Sequence, residues 1–203
     1  MKAKSSTILL LSILITACTS ASHKSFVEKD ELINMVNNKS TGIYSKTING
    51  IKYAIQYKPS DYMALQEMQD KTLDNNELKK LIEEYNKYEY YTFEISIDGF
   101  TDEILKYQLK TTDEYTERLN YYAFKFQNDI NLIQETDTLT TVNYHFERNY
   151  GLAPNVKFLL AFKRADDSKD RTFVCNEKYL GSGIVKINIT PDDLKEIPKL
   201  KIN

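Results

Sequence analysis

Residues 43–57 read IYSKTINGIKYAIQY, two alternating runs with Asn49 and Gly50 between them. A two-residue hairpin loop needs positive φ at both central positions, which Asn tolerates and Gly adopts freely, so this stretch predicts an antiparallel hairpin. Alternation places Ile51, Tyr53, Ile55 and Tyr57 on one face of its second strand. Upstream, Leu32, Ile33 and Val36, with Glu28, Asp30 and Glu31 near the start, predict a helix over 26–36. Downstream, Pro59 ends the strand and Ser60 or Asp61 can cap a short helix to about Met68. Asn75 or Asn76 can cap a second helix through LKKLIEEY, with Leu78, Leu81, Ile82 and Tyr85 as its core stripe.

Strand spacing returns at 88–98, where Tyr91, Phe93, Ile95 and Ile97 alternate against Tyr90, Thr92, Glu94 and Ser96. TDEYTERLNYY from Thr112 reads as a short helix. From about Phe124 strands dominate: FKF, DINLI, TTVNYHFE, VKFLLAFK, RTFVC and GIVKINI, before at most one helical turn in Leu194–Pro198 and the tail KLKIN. The expected fold is α+β, with a helix-rich N-terminal part packed on an antiparallel sheet and a C-terminal half that is sandwich-like. No repeat or Pro/Gly/Ser linker divides the chain, so residues 26–203 read as one domain, with a subdivision near 105 as the alternative.

The first residues carry a different message. Lys2 and Lys4 precede the apolar run Ile8–Ile15, far short of the roughly 20 residues that span a bilayer as a helix. A positive start, a short apolar segment and small residues are the layout of a secretory signal peptide. Ile15, Thr16, Ala17 and Cys18 resemble a lipobox, at which bacterial lipoprotein signal peptides are cut before a cysteine that is lipidated. The resemblance implies a signal peptide over 1–17, a mature chain anchored to the bilayer by acyl chains on Cys18, and a tether over 18–25. Thr19 stands where many inner-membrane lipoproteins carry Asp, so the resemblance favours the outer membrane.

Cleavage after residue 17 removes Lys2 and Lys4 and leaves 25 basic against 29 acidic residues, a formal charge of −4. That argues against nucleic acid, whose affinity comes mainly from Lys and Arg on phosphates. The chain has 2 cysteines, so a lipidated Cys18 leaves Cys175 without an intramolecular partner. Thr172, Phe173 and Val174 make its segment a strand, so Cys175 is expected as a small buried apolar side chain; a nucleophilic role would need an imidazole from His23 or His145. With 15 Tyr, 9 Phe and no Trp, tyrosines either pack on pleated surfaces or supply binding contacts.

Tested for chemistry, the remaining motifs assign no catalytic, cofactor or metal residue. His145 and Glu147 share a strand face without zinc spacing. Asp166, Ser168, Asp170 and Glu177 occupy calcium-loop positions, but Arg171 stands where that loop needs Gly, and the segment reads as a polar tip between paired strands. Gly181, Ser182 and Gly183 lead into a strand, unlike a phosphate loop. The adjacent acids Asp102 and Glu103, or Glu83 and Glu84, need not converge. Asp137, Thr138 and Leu139 resemble the Asp, Ser/Thr, apolar pattern of protein O-glycosylation in Bacteroidota, which makes Thr138 a candidate acceptor. FQNDINLI, DTLTTVNYHFERNYGLAP, FLLAF and GSGIVKINITPDDLKEIPKLKI resemble small lipoproteins common in Bacteroidota. That likeness implies an envelope location and no activity. The expectation is a non-enzymatic envelope lipoprotein with a surface for an envelope protein or glycan. The alternatives are a glycan hydrolase and a toxin-neutralising partner.

Overall fold

The computed structural model describes residues 24–68 and 74–202. The segment expected as a signal peptide, Cys18 and the expected tether as far as His23 lie outside the described residues. The hairpin forms as its turn dictates. Strands β2 (Ile43–Ile48) and β3 (Ile51–Lys58) pair antiparallel with Ile48 opposite Ile51, and Asn49 and Gly50 both adopt positive φ, 52° and 78°. Before them come β1 (Phe26–Val27) and α1 (Lys29–Asn37). Helices α2 (Ser60–Met68) and α3 (Asn75–Tyr85) follow, and β4 (Tyr88–Ile97) returns to pair with β3. Asp74 caps α3, not Asn75 or Asn76: its carboxylate accepts from the Asn76 N–H at 2.8 Å, satisfying one donor that the helix start leaves open.

After α4 (Thr112–Asn120) the chain forms β5 (Ile130–Gln134), β6 (Asp137–Glu147), β7 (Asn155–Lys163), β8 (Arg171–Glu177) and β9 (Gly183–Ile189), then α5 (Pro191–Lys195) and β10 (Lys199–Leu200). Among the described residues one sheet holds eight strands in the order β2-β3-β4-β7-β6-β5-β8-β9, all antiparallel, and its edge strands β2 and β9 curl towards each other into a near-barrel. A separate parallel pair joins β1 to β10. No described helix is long and apolar enough to cross a membrane.

The class is α+β, as expected, but strand-rich where a helix-rich front was expected. The front half contributes β2, β3 and β4 to the sheet, and β4 pairs with β7, so strands from both sides of residue 105 join one sheet. The back half therefore extends a curled sheet and does not form a sandwich of its own. FKF is not a strand either. Tyr121–Lys125 make a π turn and Phe126–Asp129 a 3-10 turn. Phe124 is 68% exposed and Phe126 fully buried, a split that residues two apart on one strand face would not show. Strands β7 and β8 are not partners, since β6 and β5 lie between them.

Inside the near-barrel, Phe93 of β4 is central, its ring 4.8 Å from Phe173 and 5.8 Å from Phe158. One end is filled by Tyr121 and Tyr122 from the π turn, whose freed Tyr122 carbonyl accepts from the Tyr144 hydroxyl. The other end is closed by an ion pair between Glu89 of β4 and Arg171 of β8, both fully buried. Glu89 also accepts from the Tyr91 hydroxyl at 2.6 Å and the Ala165 N–H at 2.9 Å. Desolvated charges are tolerable only when so engaged. The link 164–170 crosses the same end, tied to β5 by reciprocal 2.8 Å bonds between the Gln134 amide and the Asp166 backbone. A second core, built from Leu32, Val36, Leu65, Met68, Leu78 and Leu200, joins the three front helices to β10.

Candidate functional site

The helical layer covers only part of the sheet's outer face. Gln56 of β3 points outward and donates to the Val36 carbonyl at 2.8 Å, which seats α1, and the Tyr90 ring of β4 meets Tyr85 of α3 edge-on at 5.4 Å. Beyond that, the strands are open: Leu159 of β7 is 41% exposed. The step between covered and open sheet is a groove of about 470 Å³, within the usual range of about 300–1,000 Å³ for ligand sites.

Register fixes what lines it. Outward side chains form rows across β3, β4, β7 and β6: Lys58, Tyr90, Ala161 and Asn143; then Gln56, Thr92, Leu159 and His145; then Ala54, Glu94, Lys157 and Glu147. The α2 side supplies Tyr62 and Met63, and the turn after α1 supplies Lys39, which holds positive φ at 53°. Three lysines thus converge. Lys39 pairs with Glu94 at 2.6 Å and Lys157 with Glu147 at 3.2 Å. Lys58 has no carboxylate partner among the described residues. Its ammonium donates to Gln56 Oε1 at 2.9 Å and lies 5.2 Å from the centre of the Tyr62 ring. Burial, then repulsion from Lys157 and Lys39, lowers its pKa from 10.5 to about 8, against the pull of Glu147.

The groove continues past Lys157 and Glu147 into a shallower hollow with His145, Arg148 and Tyr150, where the Arg148 guanidinium stands 4.6 Å from the Tyr150 ring centre. His145 and Glu147 share this outward face, as their spacing requires.

Compared with family models, with curated proteins and with solved structures, the chain matches none of them.

The other singled-out residues fall elsewhere. Thr138 is exposed beside the β5–β6 turn, remote from the groove lining. Cys175 is fully buried in β8, and burial, with Glu177 and Asp129 nearby, pushes its thiol far above the ordinary range, the opposite of an activated nucleophile. The calcium-loop positions do not converge: Asp166 caps its own turn through Ser168, Arg171 turns inward to Glu89, and Glu177 is buried, accepting from the Tyr122 hydroxyl at 2.7 Å and the Tyr179 N–H at 2.8 Å. No metal-competent group of His, Cys, Asp or Glu occurs among the described residues. Gly181 and Gly183 both hold positive φ in the β8–β9 turn. Of the adjacent acids, Asp102 pairs with Lys106 while Glu103 is buried and accepts from the Tyr115 hydroxyl, so each serves its own contact.

Sequence reasoning missed Lys58, Glu89 and Arg171. For the last two a signal exists: Glu89 is two residues before Tyr91 and Arg171 two before Phe173, so each charge falls on a register that alternation marks as buried. Lys58 gives no such signal, because what makes it special is the helix folded over it.

Proposed function

We propose that this protein is a non-enzymatic binding module of the bacterial cell envelope, anchored through acyl chains on Cys18, with the groove between α2 and the outer face of β3, β4 and β7 as its ligand site. The observation that carries the reading is Lys58: a half-buried ammonium without a carboxylate partner among the described residues, held against Tyr62 in a concave site. Burying a cation opposes folding, and a hydrogen bond to Gln56 and the Tyr62 ring offset that cost less well than a carboxylate would. The use of that arrangement lies in what it can hold. The anchor rests on the resemblance of Ile15–Cys18 to a lipobox, and two or more acyl chains make a stable attachment. A short tether then keeps the body near the bilayer, at the outer membrane.

A glycan hydrolase is the second reading, favoured by Glu94 and Glu147, two acids on one row of the groove. Each is engaged by a lysine, which suits charge recognition better than proton donation. Growth of the native host with labelled palmitate tests the anchor, and a photo-crosslinking residue at position 159 or 124 tests the groove. The reading requires label that is lost with Cys18→Ser, and a ligand captured from 159 and not from 124. Unlabelled protein, or equal capture from both positions, contradicts it.

A further inference from the structure

We infer that the groove takes an acidic oligosaccharide, with a uronic acid carboxylate paired to Lys58 and the sugar ring lying over the Tyr90 and Leu159 floor. This rests on the groove being the ligand site and adds the ligand's chemical class. Three observations lead to it. Charge comes first. Of the three lysines at the groove, Lys39 and Lys157 already hold Glu94 and Glu147, while Lys58 has spent one of its three N–H donors on Gln56 and forms no ion pair with a described carboxylate. An incoming carboxylate completes the one unmatched position.

The floor comes second. Strands β3, β4 and β7 are interior strands, hydrogen-bonded to neighbours on both sides, so their backbone N–H and C=O groups are spent within the sheet. An extended peptide, which binds sheets by adding to a free edge, finds no main-chain partners here. Recognition must come from side chains, and those present are an amphipathic set: the Tyr90 ring and Leu159 for the C–H face of a sugar, Asn37 and the Tyr62 hydroxyl, bonded to each other at 2.8 Å, for its hydroxyls.

Third is the titration of the site. Around Lys58 stand Lys39 from the turn after α1, Tyr62 from α2, Tyr90 from β4, Lys157 from β7 and Glu147 from β6, and Glu94 is held by Lys39. Burial and the two lysines bring its proton loss to about pH 8. Carboxylate binding is therefore full below pH 8 and falls as pH rises through it.

Calorimetry on the full chain with a galacturonate tetrasaccharide, its methyl ester and a poly-glutamate peptide tests the proposal, with NMR shifts of the groove residues as the locator. The ester keeps the shape and removes the charge. The expected results are that the acid binds roughly tenfold or more tighter than the ester at pH 7, that Lys58→Met brings the acid down to the ester's affinity, and that Lys58→Arg keeps the preference while removing its decline near pH 8. Cooperative unfolding of both variants at or above the wild-type thermal midpoint excludes misfolding as the cause. Equal binding of acid and ester, with shifts in the groove, overturns the acidic subsite and leaves the groove as a site. Lys58-dependent binding of poly-glutamate alone overturns the sugar class. Binding with no shift in the groove overturns both the subsite and the reading beneath it.

Discussion

The same three strands, β3, β4 and β7, present two faces that obey different rules. Inward, Tyr53, Ile55, Phe93, Phe158 and Leu160 interdigitate in a closed near-barrel where every position is buried. Outward, the register neighbours Lys58, Tyr90, Lys157 and Leu159 are only partly covered, and one of them, Lys58, is a cation without a carboxylate partner among the described residues. A one-residue step along each strand separates the two sets. The inner face is organised for stability. The outer face gives up stability to hold a groove open, and that asymmetry is what points to function.

Substitutions on the two faces should therefore differ in size and in sign. Phe93→Ala removes the ring that Phe173, Phe158 and Phe126 pack around, and should lower unfolding free energy in urea by about 3–5 kcal/mol. A loss below about 1 kcal/mol would mean that the near-barrel core is not centred there. Of comparable size is Arg171→Met, which strands the Glu89 carboxylate in the interior and should cost about 3–5 kcal/mol. Adding Glu89→Leu to it should recover part of that loss; a strictly additive double variant would show that the two charges are not coupled. Gly50→Ala is smaller, about 1 kcal/mol. Nothing lies within 4 Å of the added Cβ, so its cost is the positive φ alone.

The smallest effect carries the opposite sign. Lys58→Met should raise the thermal midpoint at pH 7, because the folded state holds the Lys58 proton less tightly than the unfolded chain does. Between about pH 8 and the ordinary 10.5 the unfolded chain binds more protons, so wild-type stability rises with pH through that window. The advantage of the variant is then full below pH 8 and shrinks above it. An advantage that grows with pH would reverse the assignment of Lys58 as the strained group.

How far the sequence discloses this follows from where each feature is encoded. The Asn49-Gly50 turn, the alternation of 51–57 and 91–97 and the span of α2 are local patterns, and all were legible. Sheet order was not. Nothing in 155–163 says that β7 pairs with β4 and not with β8, because one of its edges is taken by the preceding strand β6 and the other by β4, far upstream in sequence. FKF failed for a related reason: three aromatic residues, Tyr121, Tyr122 and Phe126, must reach one end of the near-barrel, and a π turn does so where a strand cannot. The pairing of Lys199–Leu200 with β1 escaped because two-residue strands carry no periodicity. The groove was invisible as a whole, although His145 and Glu147 were correctly given one strand face, because a concavity made by a helix over a sheet belongs to neither element's pattern.

Chemical-shift mapping of the full chain during titration with oligosaccharides released from its host's envelope is the most direct test. If the outer groove is the working surface, Lys58, Tyr90, Thr92, Lys157 and Leu159 shift together while exposed Phe124 and Ile184 stay still. Shifts gathered at Phe124 or Ile184 with the groove unmoved would contradict it.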